Sequence, residues 1–325
     1  MRIAVDAMGG DNAPEEIIKG TIEASSEFGI EIVLVGDEQR IVEALKRHRG
    51  NNTSNLDILH APQVIGMEEK PAIAIRKKRN SSIVRAVDLV RDENADAVVS
   101  AGNTGASMAT SILRLGRISG IDRPALAGLL PSKNGVALLL DVGANIDCKP
   151  KNLLQFAVMG QLYAQKILGL SNPRVGLLSI GEESCKGNEL TLSALPMLQK
   201  SDFNFIGNVE GRHIFNGNAD VIVCDGFVGN IVLKAGEGLA KEFIRLLHSE
   251  VKDNVLMSNL QGKMDYREHG GAPLLGVNGI SIVCHGNSNA RAIKSAIRIA
   301  CEAVNKNIVG AIRDNIVRAL PGEVS

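Results

Sequence analysis

Aromatic side chains supply only 3% of the 325 residues, and tryptophan is absent. Ring platforms that stack the bases of single-stranded nucleic acid are therefore poorly provided. An excess of one charge is missing too. The 36 Lys and Arg balance 36 Asp and Glu, for a formal net charge of zero, where a dedicated nucleic-acid binder would be basic. Cysteine is sparse: Cys148, Cys185, Cys224, Cys284 and Cys301 are odd in number and contain no Cys-x-x-Cys pair. That argues against a disulfide framework or a structural zinc site, and for a reducing cytoplasm. No apolar run approaches the ~20 residues that span a bilayer. The opening stretch, which turns acidic at Asp6, does not read as a signal peptide.

Several catalytic signatures are lacking as well. There is no Gly-x-Gly-x-x-Gly dinucleotide fingerprint, no P-loop, no Gly-x-Ser-x-Gly elbow and no His-Glu-x-x-His pair. His48, His60, His213, His248, His269 and His285 do not cluster. The expectation is an enzyme or binding protein with no metal and no cofactor.

What is present is a rhythm. Short apolar runs rich in β-branched residues recur at 3–5, 32–35, 56–59, 97–99, 136–140, 175–178, 205–206, 221–223 and 280–283, and all but 56–59 reach a Gly, Asp or Asn within three residues. Runs of this kind suit parallel strands buried on both faces. Helical patterns lie between them, at 14–28, at 152–168 and at 290–304, where Ile293, Ile297, Cys301 and Val304 form one stripe. The alternation predicts an α/β fold, doubly wound, with a mostly parallel sheet and helices on both faces. No linker or low-complexity tract divides the chain, so residues 1–325 read as one α/β domain, with room for two lobes. The less regular stretch around 249–263 reads as a small projecting helical hairpin or loop.

Open α/β sheets bind ligands at the carboxyl ends of their strands, so the residues following each run are the candidates. Asp6 to Pro14 includes the pair Gly9-Gly10, but Asp6 and Asp11 would repel an anion and suit a self-satisfied loop equally well. The stretch after residue 100 is better: Gly102, Asn103, Thr104, Gly105 and Ser107 open a helix without a carboxylate, and backbone N–H groups and the helix dipole both favour a phosphate there. An Asn or Thr helix cap is the plain alternative. Asn145 follows Asp141-Val142-Gly143-Ala144. Lys186 offers a point charge for a phosphate or an oxyanion, against the alternative of a solvated lysine. Asn230 and Asn289 offer amides or helix caps. The densest basic run, Arg76-Lys77-Lys78-Arg79, reads as a solvated face or as a docking site for an acidic partner. Recurrence of small polar turns at successive strand ends suits a phosphate or acyl-phosphate ligand.

These residues also carry a resemblance. Met1 to Pro14 (Met-Arg-Ile-Ala-Val-Asp-Ala-Met-Gly-Gly-Asp-Asn-Ala-Pro), Arg79 to Ser82, Ser100 to Ala106, Gly120 to Ala125, Leu140 to Asn145, Lys186 to Leu190, Phe205 to Glu210, Asp225 to Asn230, Tyr266 and Gly270 to Gly276 closely resemble the bacterial phosphate acyltransferase family across nearly the whole chain. The resemblance implies transfer of a fatty acyl group from acyl carrier protein to inorganic phosphate, giving acyl phosphate for a membrane glycerol-3-phosphate acyltransferase in phospholipid synthesis. It further implies a homodimer with peripheral membrane contact, and catalytic roles for Lys186 and Asn230. The family's membrane-facing tip corresponds to 249–263, where this sequence is shorter and offers Val255, Leu256, Met257 and Leu260. His269 stands where many members have tyrosine.

Such a reaction asks for position and charge more than for covalent catalysis, because phosphate is the nucleophile and a thiol with a pKa near ~8.5 leaves readily. The expected division of labour places phosphate on the turn 102–107, aided by Lys186 and Asn145, with Asn230 donating to the carbonyl oxyanion or to the phosphate. The competing readings are a phosphate acetyl- or butyryltransferase acting on acyl-CoA, a non-catalytic scaffold for carrier protein and membrane, and a decarboxylating dehydrogenase of related topology.

Overall fold

The computed structural model describes residues 1–48, 53–250 and 270–319. The tip expected at 249–263 falls, from residue 251 onward, outside the described residues, and Val255, Leu256, Met257 and Leu260 fall there with it. The chain divides into two compact units, Met1–Ile118 with His269–Val309, and Ser119–Glu268 with Gly310–Ser325.

The first unit contains β1 (Arg2–Asp6), α1 (Glu15–Phe28), β2 (Glu31–Gly36), α2 (Glu38–Arg47), β3 (Leu56–His60), α3 (Pro71–Lys77), α4 (Ser82–Arg91), β4 (Ala97–Ser100) and α5 (Thr104–Leu115). It is completed by β10 (Ala272–Leu275), β11 (Ile280–Val283) and α10 (Ala290–Asn305). Its strands run in the order β3-β2-β1-β4-β11-β10, parallel except that β10 is antiparallel to β11. Ile3, Val5, Ile32, Leu34, Val99 and Ile282 from the strands meet Ile17, Ile18 and Ile22 of α1 and Ile293 and Ile297 of α10 in one buried cluster. Each such side chain is worth about 1.5–3 kcal/mol when fully buried. α1 ends where Gly29 turns left-handed (φ 64°), and α10 begins where the Asn289 side chain accepts the Ala292 N–H.

The second unit contains β5 (Ala125–Ser132), β6 (Gly135–Leu140), α6 (Pro150–Lys166), β7 (Val175–Leu178), α7 (Glu189–Gln199), β8 (Phe205–Val209), α8 (Gly211–Asn216), β9 (Val221–Val223) and α9 (Gly226–Glu250). A last helix, α11, spans Ile308–Ala319. The strand order is β5-β6-β9-β7-β8, parallel except for the β5–β6 hairpin. Leu138, Leu139, Leu140, Phe156, Tyr163, Val175, Leu177 and Ile222 are buried within it. Among the described residues no helix is long and apolar enough to cross a membrane.

The expected α/β class holds: mostly parallel sheet, with helices on both sides. All nine expected runs are strands. β5 and β10 were not expected, and both contain a proline, Pro131 and Pro273. Proline gives up a ladder donor and normally demotes a strand pattern; here both prolines sit in antiparallel pairs, opposite Val136 and Ile282.

Candidate functional site

An open sheet offers a ligand crevice where neighbouring parallel strands send their connections in opposite directions. Each unit has one: β1 and β4 flank it in the first, β9 and β7 in the second.

In the first unit, Asp6 closes β1 as a buried carboxylate. It accepts the Ser100 hydroxyl at 2.8 Å and the Met8 N–H at 3.2 Å. Burial pushes this carboxyl up, against the pull of Ser82, Ser100 and the amides of Met8 and Gly9. The loop that follows touches the turn after β4: a Cβ on Gly9 would stand 2.6 Å from the Gly102 nitrogen, so only glycine allows this approach. Within that turn most donors are spent. Gly102 N–H donates to Ser100 Oγ at 3.1 Å. Asn103 Oδ1 caps α5 by accepting the Ala106 N–H at 3.0 Å, and its Nδ2 donates to the carbonyls of Gly66, Met67 and Glu69. Ser107 is buried, with Oγ 3.4 Å from Ser100 Oγ. The amides of Thr104 and Gly105, in the open first turn of α5, have no acceptor among the described residues.

In the second unit, Asp141 closes β6, fully buried. Its carboxylate accepts the N–H groups of Leu126 (2.9 Å), Gly143 (3.2 Å), Ala144 (3.0 Å) and Asn145 (2.6 Å), and Asn145 Nδ2 at 2.9 Å. Burial pushes this carboxyl up while those donors oppose the shift. Asn145 is thereby committed. Its Nδ2 also reaches the Pro124 carbonyl at 2.7 Å, and its own carbonyl accepts Gly226 N–H at 2.7 Å. A Cβ on Gly226 would stand 2.7 Å from Asp141 Oδ2, which locks the start of α9 onto the loop.

The cap of α9 is Asp225, whose Oδ1 accepts the Val228 N–H at 2.9 Å. Asn230 is therefore not needed as a cap. It is half-buried one turn further on, its Oδ1 3.7 Å from where a Cβ on Gly143 would stand. Its side chain makes no hydrogen bond among the described residues. Cys148 and Cys224 lie beside the same loop, their Sγ atoms 3.6 Å from the Asn145 carbonyl and 3.7 Å from the Asp141 carbonyl. Burial, with the nearby Asp141 charge, pushes the Cys148 thiol up to about 11, and burial also holds the Cys224 thiol well above its ordinary value. Both are protonated at neutral pH and poor nucleophiles.

Lys186 lies in the turn after β7. It is exposed, its stem rests on Gly181, and its ammonium has no carboxylate partner among the described residues. Its backbone is held: Lys186 N–H donates to the Glu183 carbonyl at 3.0 Å, and Ser179 Oγ donates to the Lys186 carbonyl at 3.1 Å. Asn188 caps α7 through the Thr191 N–H at 2.9 Å. Because β6, β9 and β7 are adjacent, Asn145, Asn230 and Lys186 follow three neighbouring strand ends, Asn230 inside α9 and the other two in loops. The basic run is split in its duties: Lys78 donates to Glu69 Oε1 at 2.5 Å and to the Val64 carbonyl at 2.7 Å, while Arg76, Lys77 and Arg79 are exposed. The organising role of Asp141 was not read from the sequence. Its signal was an acid directly after an apolar strand and before Val-Gly-Ala-Asn, the same pattern that Asp6 begins at β1.

Comparison with known proteins adds to this geometry. The family described as "Fatty acid synthesis protein" matches residues 1–310. The chain is similar to the phosphate acyltransferase of Pelotomaculum thermopropionicum, 55% identical over 97% of this chain and 95% of the relative. It is also similar to the phosphate acyltransferase of Heliobacterium modesticaldum, 54% identical over 100% and 99%. Its fold is similar to that of a phosphotransacetylase from Streptococcus pyogenes, with a TM-score of 0.66 at 18% identity, covering 94% of each chain.

Proposed function

The chain belongs to the phosphate acyltransferase family, acyltransferases of lipid biosynthesis for which phosphate is a substrate, and from that premise we propose that its acyl donor is a fatty acyl thioester of acyl carrier protein. The observation that carries the catalytic assignment is the division of labour at the second unit's crevice. Asp141, Asn145, Asp225 and Asn188 hold loops and helix ends, whereas Lys186 and Asn230 keep their side chains uncommitted.

A phosphate oxygen attacks the thioester carbonyl. The tetrahedral oxyanion collapses, the C–S bond breaks and the carrier thiolate leaves, giving acyl phosphate. Lys186 neutralises negative charge as it gathers, and Asn230 donates to the carbonyl oxyanion or to the phosphate. One fixed donor of this kind is worth about 10²–10³ in rate. Phosphate binding is assigned to the turn 102–107, through the amides of Thr104 and Gly105 and the Thr104 hydroxyl.

The exposed Arg76, Lys77 and Arg79 suit the acidic face of a carrier protein. A second copy of the chain suits α9, where Phe227, Ile231, Leu239, Phe243 and Leu246 fall at helical spacing and are 49–73% exposed. Cytoplasmic placement, peripheral membrane contact through Val255–Leu260 and hand-over to a membrane glycerol-3-phosphate acyltransferase complete the reading. The test is to mix the protein with palmitoyl carrier protein or palmitoyl-CoA, with and without phosphate, and trap acyl phosphate with hydroxylamine. Phosphate-dependent hydroxamate from the carrier-protein substrate is expected. Product from CoA alone would assign the donor to the phosphotransacylases, and binding without product would leave a scaffold.

A further inference from the structure

The ammonium of Lys186 sits on an exposed turn, and exposed lysines sample many orientations. The backbone beneath this one is held, and part of that hold comes from β8. Asn208, only 7% exposed, pairs with Leu177 across the sheet. Its Nδ2 donates to the carbonyl of Glu183 at 3.0 Å and to the carbonyl of Lys186 at 3.2 Å. One buried amide thus joins both ends of the 183–186 turn. The helix that follows, α8, reaches the residue before the turn through Arg212, whose Nη2 donates to Glu182 Oε1 at 3.1 Å.

Two observations separate this from ordinary loop packing. Both carbonyls already have another donor, Lys186 N–H for Glu183 and Ser179 Oγ for Lys186, so neither would be left unpaired without Asn208. The amide oxygen of Asn208 is itself buried with no partner among the described residues, and an unsatisfied buried acceptor costs stability. A buried polar group retained at a cost, aimed at the main chain of a reactive lysine, points to function.

We propose that Asn208 is a positioning residue for Lys186: it fixes the 183–186 turn so that the ammonium is presented in one orientation to the reacting groups. This rests on the reading that Lys186 takes part in acyl transfer.

The experiment compares wild type, Asn208→Leu, Lys186→Ala and the double variant for phosphate-dependent thiol release from palmitoyl carrier protein, with the thermal midpoint of each. Asn208→Leu is expected to keep its midpoint within about 3 °C and to lose at least about tenfold in kcat. In the Lys186→Ala background it should cause no further loss, because a residue that acts only through Lys186 has nothing left to position. Wild-type speed in Asn208→Leu, or a double variant slower than Lys186→Ala by the factor Asn208→Leu shows alone, overturns the proposal while Lys186 keeps its role. Wild-type speed in Lys186→Ala instead removes the reading beneath, and the proposal with it. Ser179→Ala, which removes the neighbouring bond to the Lys186 carbonyl, goes through the same cycle. Should Asn208→Leu fail to fold, additivity of Ser179→Ala with Lys186→Ala would overturn the proposal, and its absence would support it.

Discussion

At the end of β1, Asp6 is surrounded by two hydroxyls and the amides of Met8 and Gly9; at the end of β6, Asp141 is surrounded by four backbone amides and the side-chain amide of Asn145. Both carboxylates are buried at the end of a central strand, and both let a glycine from the neighbouring loop come into contact, Gly102 near Asp6 and Gly226 on Asp141. The consequences differ. In the first unit the polar side chains of the helix-opening turn are absorbed: Asn103 makes its cap and three carbonyl contacts, and Ser107 faces Ser100. What remains for a ligand is main chain and the exposed Thr104 hydroxyl. In the second unit carboxylates do the structural work, Asp141 for the loop and Asp225 for the cap, so Asn230 and Lys186 are released from it. A side chain is available for chemistry when another residue has already satisfied the backbone around it.

That contrast can be broken most severely at Asp141. Asp141→Ala strands the buried N–H groups of Leu126 and Asn145 and the part-buried ones of Gly143 and Ala144, each buried one worth about 1–3 kcal/mol when unsatisfied, so a loss on the order of 4 kcal/mol or failure to fold is expected. Asp6→Ala should cost less, since two of its donors are hydroxyls that can turn elsewhere. Urea unfolding of both variants measures the gap, and equal losses would erase the distinction between the two loops.

Next in size, Lys186→Ala and Asn230→Ala should each slow turnover by about 10²–10³ with stability kept within about 0.5 kcal/mol. A variant that melts early with its turnover intact would move that residue to the structural side. Smaller is the effect expected of Thr104→Pro. Proline is accommodated at the first helical position, and the extended Asn103 before it (ψ 113°) is compatible. The substitution removes one amide and one hydroxyl, so the KM for phosphate should rise about tenfold, as for a lost hydrogen bond to a charged group, with the midpoint unchanged. An unaltered KM would take the anion away from this turn.

Smallest is Arg174→Ala, at the opposite ends of β7 and β9. Arg174 forks onto Asp220 at 2.7 and 2.9 Å. Burial alone would raise the Asp220 carboxyl, but the hydrogen bonds and charge of Arg174 hold it below its ordinary value. The pair's contribution is therefore complete above the unfolded-state value of about 3.9 and is lost as pH falls through the folded value. Arg174 is partly exposed, so Arg174→Ala should cost about 1 kcal/mol at pH 7 and leave turnover alone. The gap in midpoint between it and wild type should close on acidification from pH 6 to pH 3; a gap that widens would reverse the sign of the pairing.

Much of the scaffold was legible because its signals are local. Apolar strands ending in Gly, Asp or Asn, the stripe of α10 and the Asn289 cap depend on neighbours a few residues away. β5 and β10 were not legible, because Pro131 and Pro273 spoil the pattern and only pairing with β6 and β11 makes those segments strands. For the site, Lys186 and Asn230 were identified from motif resemblance, and Asn103 and Asn145 stood beside them as equals. What sets them apart is where their hydrogen bonds go, to Gly66, Met67, Glu69 and Pro124, and such distant partners leave no mark on local spacing. Asn208 gave still less warning, since an asparagine inside a strand reads as a weak strand residue.

Sequence alone determined nine of the eleven strands, the helical stripes between them and the residue types at each strand end, because hydrophobic period and turn chemistry act over a few positions. Only tertiary structure decided which of those polar residues would be consumed as scaffolding and which left open. That choice depends on whether a buried amide or carbonyl from a remote segment arrives within 3 Å, and chain folding, not composition, brings it there.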